Sequence, residues 1–292
     1  MKRVMDQQSF HIEEIPELKY PVLIAGFDGW GNALGIASAM AVYIVGKLKA
    51  GPFARINPDR FYRYDEDRPV VSIKEGVLLK LRSPGGTFYG AGMDHTQNDL
   101  VLLRADEPSL RWQQFADDLF SLCKTLGVHR VITLGSMFDQ VLHTDRVISG
   151  IASSPSLMTS LQENGVLPIN YQGPTSVHSI LHTEGSKQGI DCISLWSHCP
   201  FYLQETTHFG LLARLGDVLA RLGGFELDTS PLARQWDLIE VKIQQLIDED
   251  PKLREMIGEL RRAKVRGSWE SVHAADARAG KVISLKDFLD PQ

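Results

Sequence analysis

Cysteine is scarce in this chain: Cys123, Cys192 and Cys199 are the only three, with no CxxC pair and no zinc-ribbon spacing. That count leaves no room for a disulfide framework and none for a Cys-rich zinc site. An odd number of thiols reads as reduced and mostly buried. The opening residues, with Lys2 and Arg3, have no apolar stretch behind them, so no leader is read and a cytoplasmic setting is expected. A basic surplus is missing too: 31 Lys and Arg stand against 36 Asp and Glu, a net charge of −5. Nucleic-acid binding needs cations concentrated on one face, so the balance speaks against such a partner. Long apolar runs are also lacking. Gly29–Val45 is uncharged, but its continuous apolar part starts only at Ala33 and falls short of the roughly 20 residues a bilayer requires. It reads as a buried helix, and no membrane partner is expected.

Catalytic signatures are equally thin. The nucleophile elbow G-x-S-x-G does not occur; Gly135-Ser-Met137 lacks its second arm, so Ser136 reads as a residue at a strand's carboxyl end. His178 and His182 stand four apart on a predicted helix, but position 179 is Ser where a zincin needs Glu. Glu184 and His198 complete a metal site only if folding gathers them; otherwise these are surface or capping histidines. No metal and no cofactor are expected, and no catalytic residue is assigned.

What the chain does have is alternation. Pro21-Val-Leu-Ile-Ala25 is a short apolar run stopping at glycine, as a buried strand does. Gly26-Phe-Asp-Gly-Trp-Gly-Asn32 is the turn, and Ala33 to Leu48 the helix behind it, with Ala33, Ala37 and Ala41 on one face for close approach to a sheet or a second subunit. Val70–Ile73 and Val77–Leu81 read as strands. Asp99–Leu103, His129–Leu134 and Ile190–Trp196 are strands, separated by helices beginning at Asp106-Glu-Pro108, Ser154-Pro155 and Thr206. Such alternation predicts a parallel or mixed sheet with helices on both faces. Residues 231–265 change character. Trp236, Ile239, Ile243, Leu246 and Ile247 mark one amphipathic helix, and Leu253, Met256, Ile257 and Leu260 a second, broken at Asp248-Glu-Asp-Pro251. The stripe on this pair, and the uncharged helix at Ala33, predict surfaces that a partner covers or that pack onto the α/β body within one chain.

One loop invites a ligand. Gly26 and Gly31 have the spacing of a phosphate loop, but Asn32-Ala33 stand where Lys and Ser or Thr are needed. Two readings remain: a tight turn that needs glycine, or an anion site at a helix N-terminus. The candidate residues are Gly26, Asp28, Gly29, Gly31 and Asn32, with Gly173 and Thr175 on a second loop at the same end of the strands.

Five stretches, in this order, resemble the proteasome assembly chaperone 2-like family: Pro21–Trp30, Glu107-Pro-Ser-Leu-Arg-Trp112, Val141-Leu-His-Thr144, Tyr171-Gln-Gly-Pro-Thr175 and Leu195–Leu203. The resemblance implies an α/β fold of the phosphorylase/hydrolase-like kind, a mixed sheet flanked by helices, with a C-terminal helical hairpin. It also implies a non-catalytic, chaperone-like protein that self-associates, a trimer before a dimer. Residues 1–228 are then the α/β domain, 229–267 the hairpin and 268–292 a tail. The chain departs from docking members at Leu289-Asp-Pro-Gln292, where a penultimate Tyr is absent, and at Cys199 and Phe201. That speaks against docking to a proteasome through this end and leaves another protein partner open. The alternative is an enzyme acting on a small anionic or nucleoside-like ligand at Gly26–Asn32.

Overall fold

The computed structural model describes residues 9–93, 96–204, 206–265 and 283–284. The expectations for the first eight residues and for most of the 268–292 tail lie outside them. Strand β1 (Phe10–Ile12) leads to β2 (Val22–Asp28), α1 (Ile36–Leu48), β3 (Gly51–Ile56) and a single turn, α2 (Pro58–Phe61). A hairpin, β4 (Val70–Lys74) and β5 (Val77–Arg82), is followed by β6 (Gly86–Ala91), β7 (Leu100–Asp106) and α3 (Trp112–Leu126). Then come β8 (Arg130–Asp139), β9 (Ile148–Ala152), α4 (Pro155–Glu163), β10 (Leu167–Pro168), α5 (Val177–Lys187) and β11 (Asp191–Pro200). The chain continues through β12 (Leu203–Gln204), α6 (Phe209–Gly223), α7 (Ser230–Glu249), α8 (Pro251–Val265) and β13 (Ile283–Ser284), which pairs with β12.

Nine strands form one mixed sheet in the order β1-β3-β6-β7-β2-β8-β11-β9-β10. Its centre, β7-β2-β8-β11, is parallel, and the four apolar runs read from the sequence are these neighbours. They are apolar throughout because both faces are covered. Val22, Ile24, Ile132 and Leu195 pack under α1 and α6; Leu23, Ala25, Val131 and Cys192 pack under α3 and α5. The thiols lie in this core, and burial pushes those of Cys192 and Cys199 up to about 12. Among the described residues no helix is long and apolar enough to cross a membrane.

Several boundaries move. Strand β2 does not stop at Gly26 but runs on to Asp28, because it stays paired with β7 up to Asp28↔Asp106. The helix does not begin at Ala33: Leu34 and Gly35 are left-handed, at φ 53° and 65°, so α1 starts at Ile36. Ala37 and Ala41 do face the sheet. A Cβ on Gly26 would lie 2.7 Å from the Ala37 carbonyl oxygen and 3.4 Å from Ala41 Cβ. The helix expected at Asp106-Glu-Pro108 starts only at Trp112, after Arg111 at φ 55°. Ser136 is not at a strand end but inside β8, where its N–H and Oγ donate to the carbonyls of Gly31 and Ala33.

The stripe on α7 is covered within the chain, whereas α1 buries only its inner side: Ile36, Met40 and Ile44 are buried and Val42 is 52% exposed. Trp236, Ile239, Ile243 and Ile247 of α7 pack with Leu142, Tyr202 and Leu203 of the body and Leu253 and Ile257 of α8. The unexpected surface is the β4–β5 hairpin, which forms its own two-stranded sheet. Val70, Val71, Ile73, Val77, Leu78, Leu79 and Leu81 are each 48–61% exposed.

Candidate functional site

In the sheet, β2 is flanked by β7 on one side and β8 on the other, and the helices that follow β2 and β7 lie on opposite faces. The carboxyl ends of the strands at such a switch leave a crevice where open α/β sheets take ligands. Here the crevice is a cavity of about 530 Å³ built from Asp28 at the end of β2 and Trp30 beyond it, Asp106 at the end of β7 and Glu107 beyond it, and Trp112. A second cavity of about 540 Å³ beside it shares Asp28, Arg82, Pro84 and Asp106.

The sequence-predicted residues divide here. Gly26 and Gly31 serve packing: the first admits α1, and a Cβ on the second would meet the Trp196 ring at 3.0 Å. Gly29, at φ 147°, admits Glu107, whose Cβ would lie 2.9 Å from an added methyl. Asn32 caps α1 from inside, Oδ1 accepting from the Ala37 N–H at 2.8 Å and Nδ2 donating to Asp28 Oδ1 at 2.7 Å. Asp28 and Gly29 line the cavity. Gly173 and Thr175 do not: the Tyr171 hydroxyl folds over Gly173 to Pro174, and Thr175 bonds Ser179. What ties the two loops together is Glu107, which is not among the candidate ligand residues. Its N–H donates to the Asp28 carbonyl at 2.6 Å, and its Oε1 accepts from the Val177 N–H at 2.8 Å. Its carboxylate thus occupies the positive end of α5 and satisfies its first N–H.

The electrostatics follow. Asp28 and Asp106 are register partners at the ends of adjacent parallel strands. Burial holds the Asp106 carboxyl above the usual range, against the Gly85 N–H it accepts at 2.9 Å, and the Asp28 charge adds to the rise. Carboxylates outnumber the arginines lining the first cavity five to two, a field that repels phosphate and suits a neutral or cationic guest.

His178, expected on the surface or at a cap, is instead in the core between Phe27 and Trp196, and burial lowers its imidazole to about 4. Among the described residues no three His, Cys, Asp or Glu side chains converge to hold a metal.

A second constellation escaped the sequence altogether. Asp139 Oδ2 lies 2.7 Å from His198 Nδ1, and His198 Nε2 lies 2.7 Å from Ser149 Oγ. The carboxylate fixes the Nδ1–H tautomer, so Ser149 donates to Nε2, in the order a serine nucleophile requires. No motif marks these residues; they meet because β9 runs antiparallel to β11, with Ser149 opposite Trp196. Ser149 is 3% exposed and lines neither cavity, and the relay ties three strand ends together. His198→Ala is expected to lose roughly 1–3 kcal/mol of unfolding free energy through the orphaned partners. A fluorophosphonate probe should leave the protein unlabelled; a labelled Ser149 would reverse this assignment.

A sequence model of the PAC2 family matches residues 23–247. No curated protein matches the sequence. Among solved structures, a PAC2 family protein from Streptomyces avermitilis superposes with a TM-score of 0.72 at 28% identity, covering 81% of this chain and 99% of that one. A proteasome-assembly chaperone homologue from Mycobacterium tuberculosis gives 0.70 at 28% identity over the same shares. Another M. tuberculosis protein, of unknown function, gives 0.80 at 21% identity and 90% of each chain, a likeness of fold.

Proposed function

The chain belongs to the PAC2 family, and from that membership we propose that it is a non-catalytic, chaperone-like homo-oligomer that acts through its surfaces. The observation that carries this reading is the match to the M. tuberculosis proteasome-assembly chaperone homologue across 99% of that protein. Two features support it. The carboxylate–imidazole–hydroxyl relay is closed off at Ser149, and a strongly apolar hairpin stands in solvent. A trimer is the form favoured by the family resemblance. The partner is another protein chain met in the cytoplasm, not nucleic acid or membrane.

Native mass spectrometry of the purified chain mixed with α-type proteasome subunits tests the reading. Bound subunits, or a changed distribution of their assembly states, are expected. Subunits whose association is the same with and without the chain would overturn the chaperone part.

The cavity at the ends of β2 and β7 favours a second reading, an enzyme on a small ligand. Trp30 and Trp112 offer stacking surface and Asp28 and Asp106 hydrogen-bond acceptors, which suit a nucleoside-like guest better than an anionic one.

A further inference from the structure

We infer that the β4–β5 hairpin is an assembly arm, and that its seat is the outer face of α7 on a second copy of the chain. The inference rests on the homo-oligomeric reading and names the surfaces that carry it. An isolated two-stranded hairpin is marginal in water and gains stability only when its apolar face is covered. This one is exposed along both strands, with Val71 opposite Leu81 and, past a β-bulge, Ile73 opposite Leu78. Contiguous apolar surface of this kind on a soluble domain marks a contact site.

The same chain carries a second uncovered patch. On α7 the inner stripe is buried, yet Leu238 and Val241, one turn apart on the other side, are 71% and 59% exposed. Neither patch covers the other within one chain, since both stand open. Their charges are complementary. The arm holds Lys74, Lys80 and Arg82 against Glu75, whereas α7 holds Arg234 and Lys242 against four acidic residues, Asp237, Glu240, Asp248 and Glu249. A second arm is a poorer seat for the first, because both carry the same excess of cations. An arm seated on a different surface of the next copy closes either by reciprocal exchange about a two-fold axis or, head to tail, into a ring when the rotation closes. The head-to-tail arrangement is the one a trimer uses.

Light scattering at micromolar concentration, with far-UV circular dichroism as a control, tests the arm. Wild-type protein should show a multiple of 32.6 kDa. Leu79→Asp with Leu81→Asp, and separately Leu238→Glu with Val241→Glu, should return it to 32.6 kDa with helix content unchanged. Lys74→Glu with Lys80→Glu should weaken assembly by about tenfold or more, and adding Asp237→Lys with Glu240→Lys should restore it. This charge exchange decides the matter even where the apolar variants misfold. An oligomer indifferent to either set of substitutions, or no restoration by the double reversal, overturns the arm and leaves the homo-oligomeric reading standing. A wild-type mass of 32.6 kDa removes both.

Discussion

Trp236→Ala is expected to destabilise the protein by roughly 3–5 kcal/mol, the cost of emptying a fully buried indole site. Among the described residues Trp236 is the largest wholly buried side chain, and it links α7 to the body. Its ring stacks on His208 with centroids 3.8 Å apart and planes 12° from parallel. Gly210 makes room for it: a Cβ there would stand 2.8 Å from the indole. The stack also holds the residue that caps α6, since His208 Nδ1 accepts from the Leu211 N–H at 3.1 Å. Loss of the indole therefore loosens α7 and α8 together with the start of α6. Urea unfolding followed by circular dichroism measures the loss. A change below about 1 kcal/mol would mean that α7 does not share the cooperative core.

Acid should unfold the protein early. Burial holds the imidazoles of His143 and His178 at about 4 and that of His208 at about 3. Each is about 6.5 in the unfolded chain. The folded state keeps them neutral, and for His208 neutrality is what the structure uses: Nε2 donates to the His143 carbonyl at 3.1 Å while Nδ1 accepts the cap. Because the folded values are depressed, the stabilising contribution is complete above pH 6.5. It is lost as pH falls from there toward 4, and toward 3 for His208. Each histidine then costs up to about 1.4 kcal/mol per pH unit, so the three together cost about 4. The urea midpoint should be flat above pH 7 and fall steeply between pH 6.5 and 4.5. Burial lowers the imidazoles of His129 and His182 as well, so His178→Phe should make that slope shallower by less than about a third. A midpoint unchanged from pH 7 to pH 5 would rule the explanation out.

How far the sequence could be read follows from the range of the forces involved. The parallel centre was legible because β2, β7, β8 and β11 are covered on both faces, which leaves uninterrupted apolar runs such as Val22–Ala25. The α7–α8 pair was legible from its periodicity and from Pro251 at the second helix's start. Misplaced boundaries had non-local causes. Pro108 looked like a helix start, but the N–H groups of Ser109 and Leu110 both donate to the Phe61 carbonyl, which holds the segment before Trp112 out of helix. Leu34 is left-handed, a conformation no composition rule assigns to leucine. The stripe on α7 implied a covering surface without saying whose, and Tyr202 and Leu203 of the same chain supply it.

The candidate site was half legible. Of the two readings of the glycine loop, the packing agrees with the tight turn: Gly26 and Gly31 answer to Ala37 and Trp196, and Glu107 sits at the start of α5. Strand register decided the rest. It set Asp28 beside Asp106 and assembled Asp139, His198 and Ser149 from three strands, pairings with no trace in local sequence.

The central claim is that this chain acts through its surfaces as an assembly of copies, and the mass of the wild-type protein in solution tests it most directly. Light scattering over a dilution series through micromolar concentrations is predicted to give three times 32.6 kDa, with dissociation only on dilution. A mass of 32.6 kDa at every concentration would contradict it.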